Sequence, residues 1–154
     1  MDTQEKTPSF FRFEDLRIYV KAVDYSKWLG QNIGDYRNET QKCLVDSFCH
    51  SSYDIALNIA EGSSRNKSQF EHYLKISKTA IRECVVFTEM AAGLDLLSDD
   101  KKEQSREMLM ELTRMVGALI ISLQRSQSRR DKDEPLSDLA TGTIDMIDTI
   151  ETDF

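Results

Sequence analysis

The feature that most constrains the fold is a long stripe of apolar and small residues between about Lys67 and Leu94. Its members recur at alternating steps of three and four: Phe70, Tyr73, Leu74, Ser77, Ala80, Ile81, Cys84, Phe87, Thr88 and Ala91. This spacing places all of them on one side of an α-helix, where they form a seam for neighbouring helices. The segment is therefore predicted to be a long core helix, the third of four.

The first predicted helix runs from about Phe13 to Ile33, and Gly34 is its end signal. Glu14 and Asp15 lie in its first turn, where the helix dipole favours anions. Its expected core stripe has five members: Leu16, Tyr19, Val20, Val23 and Ser26.

The second predicted helix runs from about Glu39 to Glu61, and the fourth from about Asp99 to Gln127 with Ser98 as its cap. The stripe of the second helix comprises Val45, Phe48, Cys49, Ser52, Ala56, Ile59 and Ala60. The stripe of the fourth comprises Met108, Leu109, Leu112, Met115, Val116, Leu119, Ile120 and Leu123.

These four helices each span roughly 30–45 Å at about 1.5 Å per residue. Only six Gly and two Pro punctuate the chain, which disfavours a sheet-rich fold. Matched lengths and short links predict an all-α, antiparallel up-down-up-down four-helix bundle. The predicted organisation is an N-terminal arm (1–12), the bundle (13–127) and an acidic C-terminal tail (128–154).

The formal net charge of −7 is concentrated at the C-terminus. Residues 127–154 hold three Lys/Arg against eight Asp/Glu, whereas residues 12–126 hold 16 against 17. The overall sign is therefore a poor argument against a polyanionic partner for the body of the protein. Apolar residues in the tail recur at near-helical intervals: Leu136, Leu139, Ile144, Ile147 and Ile150. The tail is expected to be either flexible or a short helix that docks on the body or on a neighbouring subunit.

The sequence also predicts where the protein is found. Its N-terminus is polar and acidic, unlike a signal peptide, and no apolar run is long enough to span a membrane. Cys43, Cys49 and Cys84 are odd in number and lie within helical patterns, which indicates reduced, buried thiols. A cytoplasmic protein is expected.

No catalytic, cofactor or metal site is expected. A carboxylate-bridged di-iron site in a bundle needs Glu-x-x-His pairs, but Ser47 precedes His50 by three residues and Gln69 precedes His72 by three. The cysteines lack the spacing of a zinc site. Adjacent residues on a helix diverge by about 100°, so Cys49 and His50 cannot form a catalytic pair. The protein is therefore expected not to be an enzyme and to hold no stoichiometric transition metal.

The stretch "NIAEGSSRNK", residues 58–67, joins the second and third helices. One interpretation is a structural corner, in which Gly62 forms a left-handed cap and Asn66 begins the third helix. The other is an anion-contact site at the free N–H groups of that helix. Asn58 and Glu61 are expected to form a polar cluster with Arg65 or Arg82, or, alternatively, a ligand site.

The corner and the third helix are locally basic. From Ser63 to Arg82, five cations face a single acid, Glu71. These candidate nucleic-acid contacts are Arg65, Lys67, Lys75, Lys78 and Arg82. A solvated helix face is the alternative interpretation, although repetition around an oligomeric ring would multiply its field.

Several short motifs together resemble a known family. They are Phe13-Glu14-Asp15-Leu16, Tyr19, Lys21-Ala22, Asn58-Ile59-Ala60-Glu61-Gly62, Arg65, Phe70, Tyr73, Leu74, Ile76 and Ala80-Ile81-Arg82-Glu83. From about Phe13 to Gln127 the chain resembles the four-helix-bundle proteins encoded within intervening sequences of bacterial 23S rRNA genes. The accessory proteins of diversity-generating retroelements are related to these. Cys49 and His50 stand where members usually carry an Arg pair, and Asp54 stands in place of a Ser.

The resemblance implies a bacterial cytoplasmic bundle that assembles as a ring-shaped homo-oligomer, a pentamer, without known catalytic activity. For the retroelement relatives it implies nucleic-acid and protein binding. Independently, five residues off the main stripes predict a subunit interface: Ile18, Trp28, Leu29, Val86 and Met90.

The expected function is a non-enzymatic, homo-oligomeric scaffold or adaptor. It would bind RNA, DNA or a nucleic-acid-processing protein through the basic third helix. One alternative is a protein-binding module that acts through the acidic tail or an exposed bundle face. Another is a small-molecule pocket between helices near Glu61.

Overall fold

The computed structural model describes residues 7–133 of the 154-residue chain. A 3₁₀ turn at Arg12–Asp15 precedes four helices: α1 (Arg17–Asn32), α2 (Glu39–Ser63), α3 (Lys67–Gly93) and α4 (Asp99–Asp133). No strand occurs within these 127 residues. The predicted all-α class is confirmed. The helix of residues 99–133 extends six residues past its predicted end, and residues 134–154 of the predicted tail lie outside the described part.

Each helix packs against its neighbours in the chain, and α1 also packs against α4. This closed arrangement is the predicted up-down-up-down bundle. The start of α1, the α2–α3 corner and the end of α4 lie at one end of the bundle, which we name the corner end. The links between α1 and α2 and between α3 and α4 lie at the opposite end.

Side chains cap the starts of three helices, and two of these caps, Asn66 and Ser98, are the predicted ones. Asn38 Oδ1 accepts from the Gln41 N–H at 2.9 Å, and Asn66 Oδ1 accepts from the Gln69 N–H at 2.9 Å. Ser98 Oγ accepts from the N–H of the residue three positions later, at 3.3 Å. Each cap satisfies a backbone donor that has no partner inside the helix.

The first helix begins four residues later than predicted. Leu16 is extended (φ −72°, ψ 122°) and separates the 3₁₀ turn from α1. The N–H of Ser9 donates to Asp15 Oδ2 at 3.0 Å, and its hydroxyl donates to Glu14. These two acids therefore bind the arriving chain and do not lie in the first turn of α1.

The core confirms the predicted stripes of α3 and α4 but not that of α1. The buried face of α1 consists of Ile18, Ala22, Tyr25 and Leu29. Val20, predicted to be buried, is 43% exposed, and Ile18 and Leu29, predicted to be off the stripe, are at most 5% exposed. Helix α1 carries two apolar stripes, and packing against both α2 and α4 selects the second.

Buried hydroxyl groups link the helices. Tyr25 OH lies 2.9 Å from Ser105 Oγ, which lies 2.8 Å from Thr88 Oγ1, and the Thr88 hydroxyl donates to the Cys84 carbonyl at 2.7 Å. The Ser77 hydroxyl similarly donates to a carbonyl of α2 at 3.0 Å. Every buried side-chain N or O atom in the described part has a hydrogen-bond partner. Because an unsatisfied buried polar group is costly, these links fix the register between helices.

Gly34 does not end α1 as a left-handed cap, since no glycine of the described part has a positive φ. The helix ends at Asn32, and the Gly34 N–H donates to the Leu96 carbonyl at 2.8 Å. A Cβ at residue 34 would lie 3.2 Å from that carbonyl oxygen. The glycine therefore permits a close approach between the two links at the opposite end.

The three cysteines differ in exposure. Cys84 is buried, Cys49 is half-buried and Cys43 is exposed, so the prediction of buried thiols is wrong for Cys43. Burial raises the pKa of the Cys84 thiol. Between residues 7 and 133, no helix is both long and apolar enough to cross a membrane.

Candidate nucleic-acid interface

Gly62 at the corner lies inside α2, which continues to Ser63. The C-cap is Ser64, whose backbone is right-handed (φ −83°, ψ −4°). The predicted left-handed cap at Gly62 is therefore wrong. A glycine near the end of a helical pattern can serve as a left-handed cap or can permit close packing against a neighbouring helix. Close packing applies to Gly62.

Gly62 is buried against α3. A Cβ atom built on it would lie 2.6 Å from Tyr73 Cβ and 2.8 Å from Phe70 Cδ2. Both distances are shorter than a carbon–carbon contact allows. The absence of a side chain thus lets α2 approach the first turns of α3, and this approach sets the geometry of the corner.

The polar residues of the corner are largely solvent-exposed. Glu61 forms an ion pair with Arg65 one helical turn later, and the hydrogen bond to Glu61 raises the pKa of the Arg65 guanidinium. That guanidinium also lies 5.8 Å from the centre of the Tyr73 ring. Asn58 Nδ2 donates to the Asp54 carbonyl at 2.8 Å. Glu61 thus has Arg65 as its partner, and the structure does not bring Asn58, Glu61 and Arg82 together in one cluster.

The five candidate cations have different surroundings. Lys67 Nζ donates to Ser126 Oγ of α4 at 2.9 Å, and Lys75 Nζ lies 3.1 Å from Glu71. Arg65 is paired with Glu61. Within the described residues, Lys78 and Arg82 have no carboxylate oxygen within 4.0 Å. Lys78 and Arg82 of α3 therefore keep their charge available for a partner. Lys67 is held by a neutral hydroxyl and also has no acidic partner within residues 7–132.

Sequence reasoning missed a second basic surface, which we name the α4 outer face. It comprises the exposed Arg114, Arg125 and Arg129, none of which is ion-paired to a side chain of residues 7–132. Spacings of 11 and four residues return to the same side of a helix. These spacings could have revealed the surface.

A groove of about 280 Å³ runs along the α4 outer face. Its lining includes Arg125 and Arg129, the small residues Ala118 and Ser122, and Ile121, which is 48% exposed. A partner that combines negative charge with an apolar surface would therefore fit this groove.

Charge is separated along the bundle axis. The half at the corner end (7–21, 57–77 and 114–133) carries 11 Lys/Arg against six Asp/Glu, a net charge of +5. The remaining half (22–56 and 78–113) carries eight against 13, a net charge of −5. A neutral body of this kind still presents a strongly positive end to a polyanion.

Two apolar grooves lie elsewhere on the surface. The groove between α2 and α3 has a volume of about 920 Å³, and Cys43, Phe87, Met90 and Leu94 line it. The groove between α1 and α2 has a volume of about 590 Å³, and its lining includes Tyr53 and Leu57 but not Glu61. Within the described part, no cluster of three or more His, Cys, Asp or Glu side chains could hold a metal ion.

The chain matches a known protein family. The family model described as 23S rRNA-intervening sequence protein matches residues 14–118, which is more than half of the chain. The chain belongs to this family. No curated protein matches it. The match covers α1, α2, α3 and the first part of α4. Arg125, Arg129 and the acidic residues after Asp133 lie beyond the matched region.

Proposed function

We propose that this protein is a non-enzymatic scaffold that binds nucleic acid. It would act as a bacterial cytoplasmic homo-oligomer, a pentameric ring. The nucleic acid would contact the unpaired cations Lys78 and Arg82 of α3 and the α4 outer face. Arg65, Lys67 and Lys75 would add to the field but are already engaged with neighbouring side chains.

The observation that carries this proposal is the separation of charge along the bundle. The α4 outer face lies in the corner-end half, whose net charge of +5 gives a polyanion a site on a protein of negative overall charge. Lys78 and Arg82 lie on the turns of α3 just beyond that half. The aromatic residues near these cations are packing residues. Phe70 and Tyr73 contact Gly62 and are partly buried, which leaves them poorly placed to stack on bases. Phosphate contacts, which carry little sequence information, are therefore expected to dominate.

An oligomer would repeat the basic surface several times. Val86 and Met90 of α3 are each 51% exposed, and Met90 lines the apolar groove between α2 and α3. Apolar surface of this kind supports a subunit interface. Ile18 and Leu29 no longer contribute to that argument because they are buried in the core.

The test is the salt dependence of binding to a labelled RNA and to a labelled duplex DNA of equal length. Lys78→Glu/Arg82→Glu and Arg125→Glu/Arg129→Glu should each weaken binding. Each should also reduce the slope of log affinity against log salt by about two, since each lost phosphate contact removes roughly 0.9.

The matched control is Lys27→Glu/Arg37→Glu, which makes the same charge change at exposed positions nearer the opposite end of the bundle. It should leave the salt slope unchanged. Equal losses in the control and test variants would refute a localised site. No binding of either nucleic acid at low salt would refute the proposal.

The exposed groove between α2 and α3 favours a second candidate, a protein-binding module. On this alternative an apolar partner segment would occupy the groove, and charge reversal at Arg125 and Arg129 would have no effect. A partner whose capture depends on Met90 but not on salt would support it.

A further inference from the structure

The chain that follows α4 and the α4 outer face have opposite charge. Residues 134–154 carry six Asp/Glu and no Lys or Arg. The α4 outer face carries the exposed Arg114, Arg125 and Arg129, and no carboxylate of residues 7–132 is paired with them. The segment and the surface thus match in charge, and they are adjacent in the chain.

The two also match in apolar character. Ile121 lies in the groove on this face and is 48% exposed. The acidic segment carries apolar residues at near-regular intervals between its carboxylates: Leu136, Leu139, Ile144, Ile147 and Ile150. A segment with this pattern can place apolar side chains against Ile121 while its carboxylates face the flanking arginines.

The lengths permit this contact. Ile121 lies 12 residues before Asp133, or about 18 Å along the helix. The 21 residues that follow can span up to roughly 70 Å when extended, so a short turn back is sufficient. Attachment to the same chain also gives the segment an effective concentration of the order of millimolar at this surface, which favours it over a free partner.

We propose that residues 134–154 dock on the α4 outer face of their own chain. The apolar residues contact Ile121, and the carboxylates pair with Arg125 and Arg129. The consequence for binding rests on the proposed function: the segment competes with the nucleic acid for the same cations. It then acts as a built-in polyanion mimic that weakens non-specific binding.

Cysteine cross-linking in the full chain tests the docking. Ile121→Cys is combined in turn with a cysteine at Ile144, Ile147 or Ile150, in a background where Cys43 and Cys49 are replaced by Ser. Oxidation should give a fast intramolecular cross-link for at least one pair, seen as a monomer of altered mobility on a non-reducing gel. High salt should slow it.

The control pairs place the first cysteine at Met110 of α4, which is equally exposed but lies in the acidic half. These pairs should cross-link more slowly. Equal rates for Ile121→Cys and Met110→Cys, or cross-links mainly between two chains, would overturn docking on the own chain.

A second measurement separates the docking from the proposed function. Asp145→Asn/Asp148→Asn/Glu151→Gln should bind RNA several-fold more tightly than the unmodified chain, whereas Glu103→Gln/Glu107→Gln should not. If no variant binds RNA but the salt-sensitive cross-link forms, the nucleic-acid proposal fails and the docking stands. RNA binding without a preferred cross-link overturns the docking alone.

Discussion

Gly62 shows how one missing side chain can set the angle between two helices. The overlap of a Cβ with Tyr73 and Phe70 predicts that Gly62→Ala destabilises the protein by about 1–3 kcal/mol, the usual range for overpacking. Gly62→Val should cost more. Urea denaturation followed by circular dichroism measures both changes.

Gly30→Ala is the matched control, because nothing lies within 4 Å of a Cβ at that helical position. It should stabilise the protein by about 0.5–1 kcal/mol through the lower backbone entropy of alanine. Gly62→Asn adds a further test: asparagine is tolerated at a left-handed cap but is larger than alanine. A stability for Gly62→Asn above that of Gly62→Ala would contradict the packing explanation.

Tyr25 is fully buried, and its hydroxyl group contributes to stability by linking helices. Its hydroxyl joins α1 to Ser105 of α4 and, through it, to Thr88 of α3. Tyr25→Phe removes one link but leaves Ser105 and Thr88 bonded to each other. The expected loss is about 1 kcal/mol of unfolding free energy, measured by denaturation at neutral pH.

Burial also raises the pKa of Tyr25, which predicts a loss of stability in alkali. Below about pH 10 the phenol is protonated in both states, so the pH dependence is absent. Above that pH the unfolded chain loses the proton while the folded chain keeps it. The unfolding free energy should then fall by about 1.4 kcal/mol per pH unit from this group.

Comparison with variants isolates this contribution. Tyr25→Phe should lack it, whereas Tyr36→Phe, at a residue 51% exposed, should retain it. The elevated pKa of Cys84 should leave part of the alkaline loss in every variant. Identical pH profiles for Tyr25→Phe and the unmodified protein would contradict the assignment.

At the scale of the element, α3 begins at a side-chain cap. Asn66→Ala removes the acceptor for the Gln69 N–H and should cost about 1 kcal/mol, whereas Asn66→Asp should be nearly neutral. Thermal and urea denaturation measure both. Arg65→Ala is the neighbouring control, because its ion pair with Glu61 is solvent-exposed and should contribute little. A greater loss for Arg65→Ala than for Asn66→Ala would contradict the cap.

At the scale of the whole molecule, the exposed apolar surface of α3 predicts association. Light scattering at micromolar concentration should show an oligomer. Val86→Lys/Met90→Lys should lower the measured mass, because association would then bury unpaired lysine charges at the interface. Met110→Lys, a change at an exposed methionine of α4, should leave the mass unchanged. A monomer in the unmodified protein would rule out the proposed assembly.

The sequence by itself determined the fold class, the seams of α3 and α4, and the caps at Asn66 and Ser98. These features depend on residues within one or two helical turns of each other, and a single periodicity or hydrogen bond specifies each. The α3 stripe was predictable because its helix carries one continuous apolar face.

Only the tertiary structure decided the rest, because each remaining choice depends on a neighbouring helix. Two apolar stripes compete on α1, and contacts with α2 and α4 bury Tyr25 and its neighbours while leaving Val20 exposed. Gly62 is equally compatible with a cap or a close contact until Tyr73 is placed beside it. The pairing of charges also depends on the tertiary structure. In the sequence Arg65 and Lys78 are both cations of one basic stretch, but of these two only Arg65 has an acidic partner in the described structure.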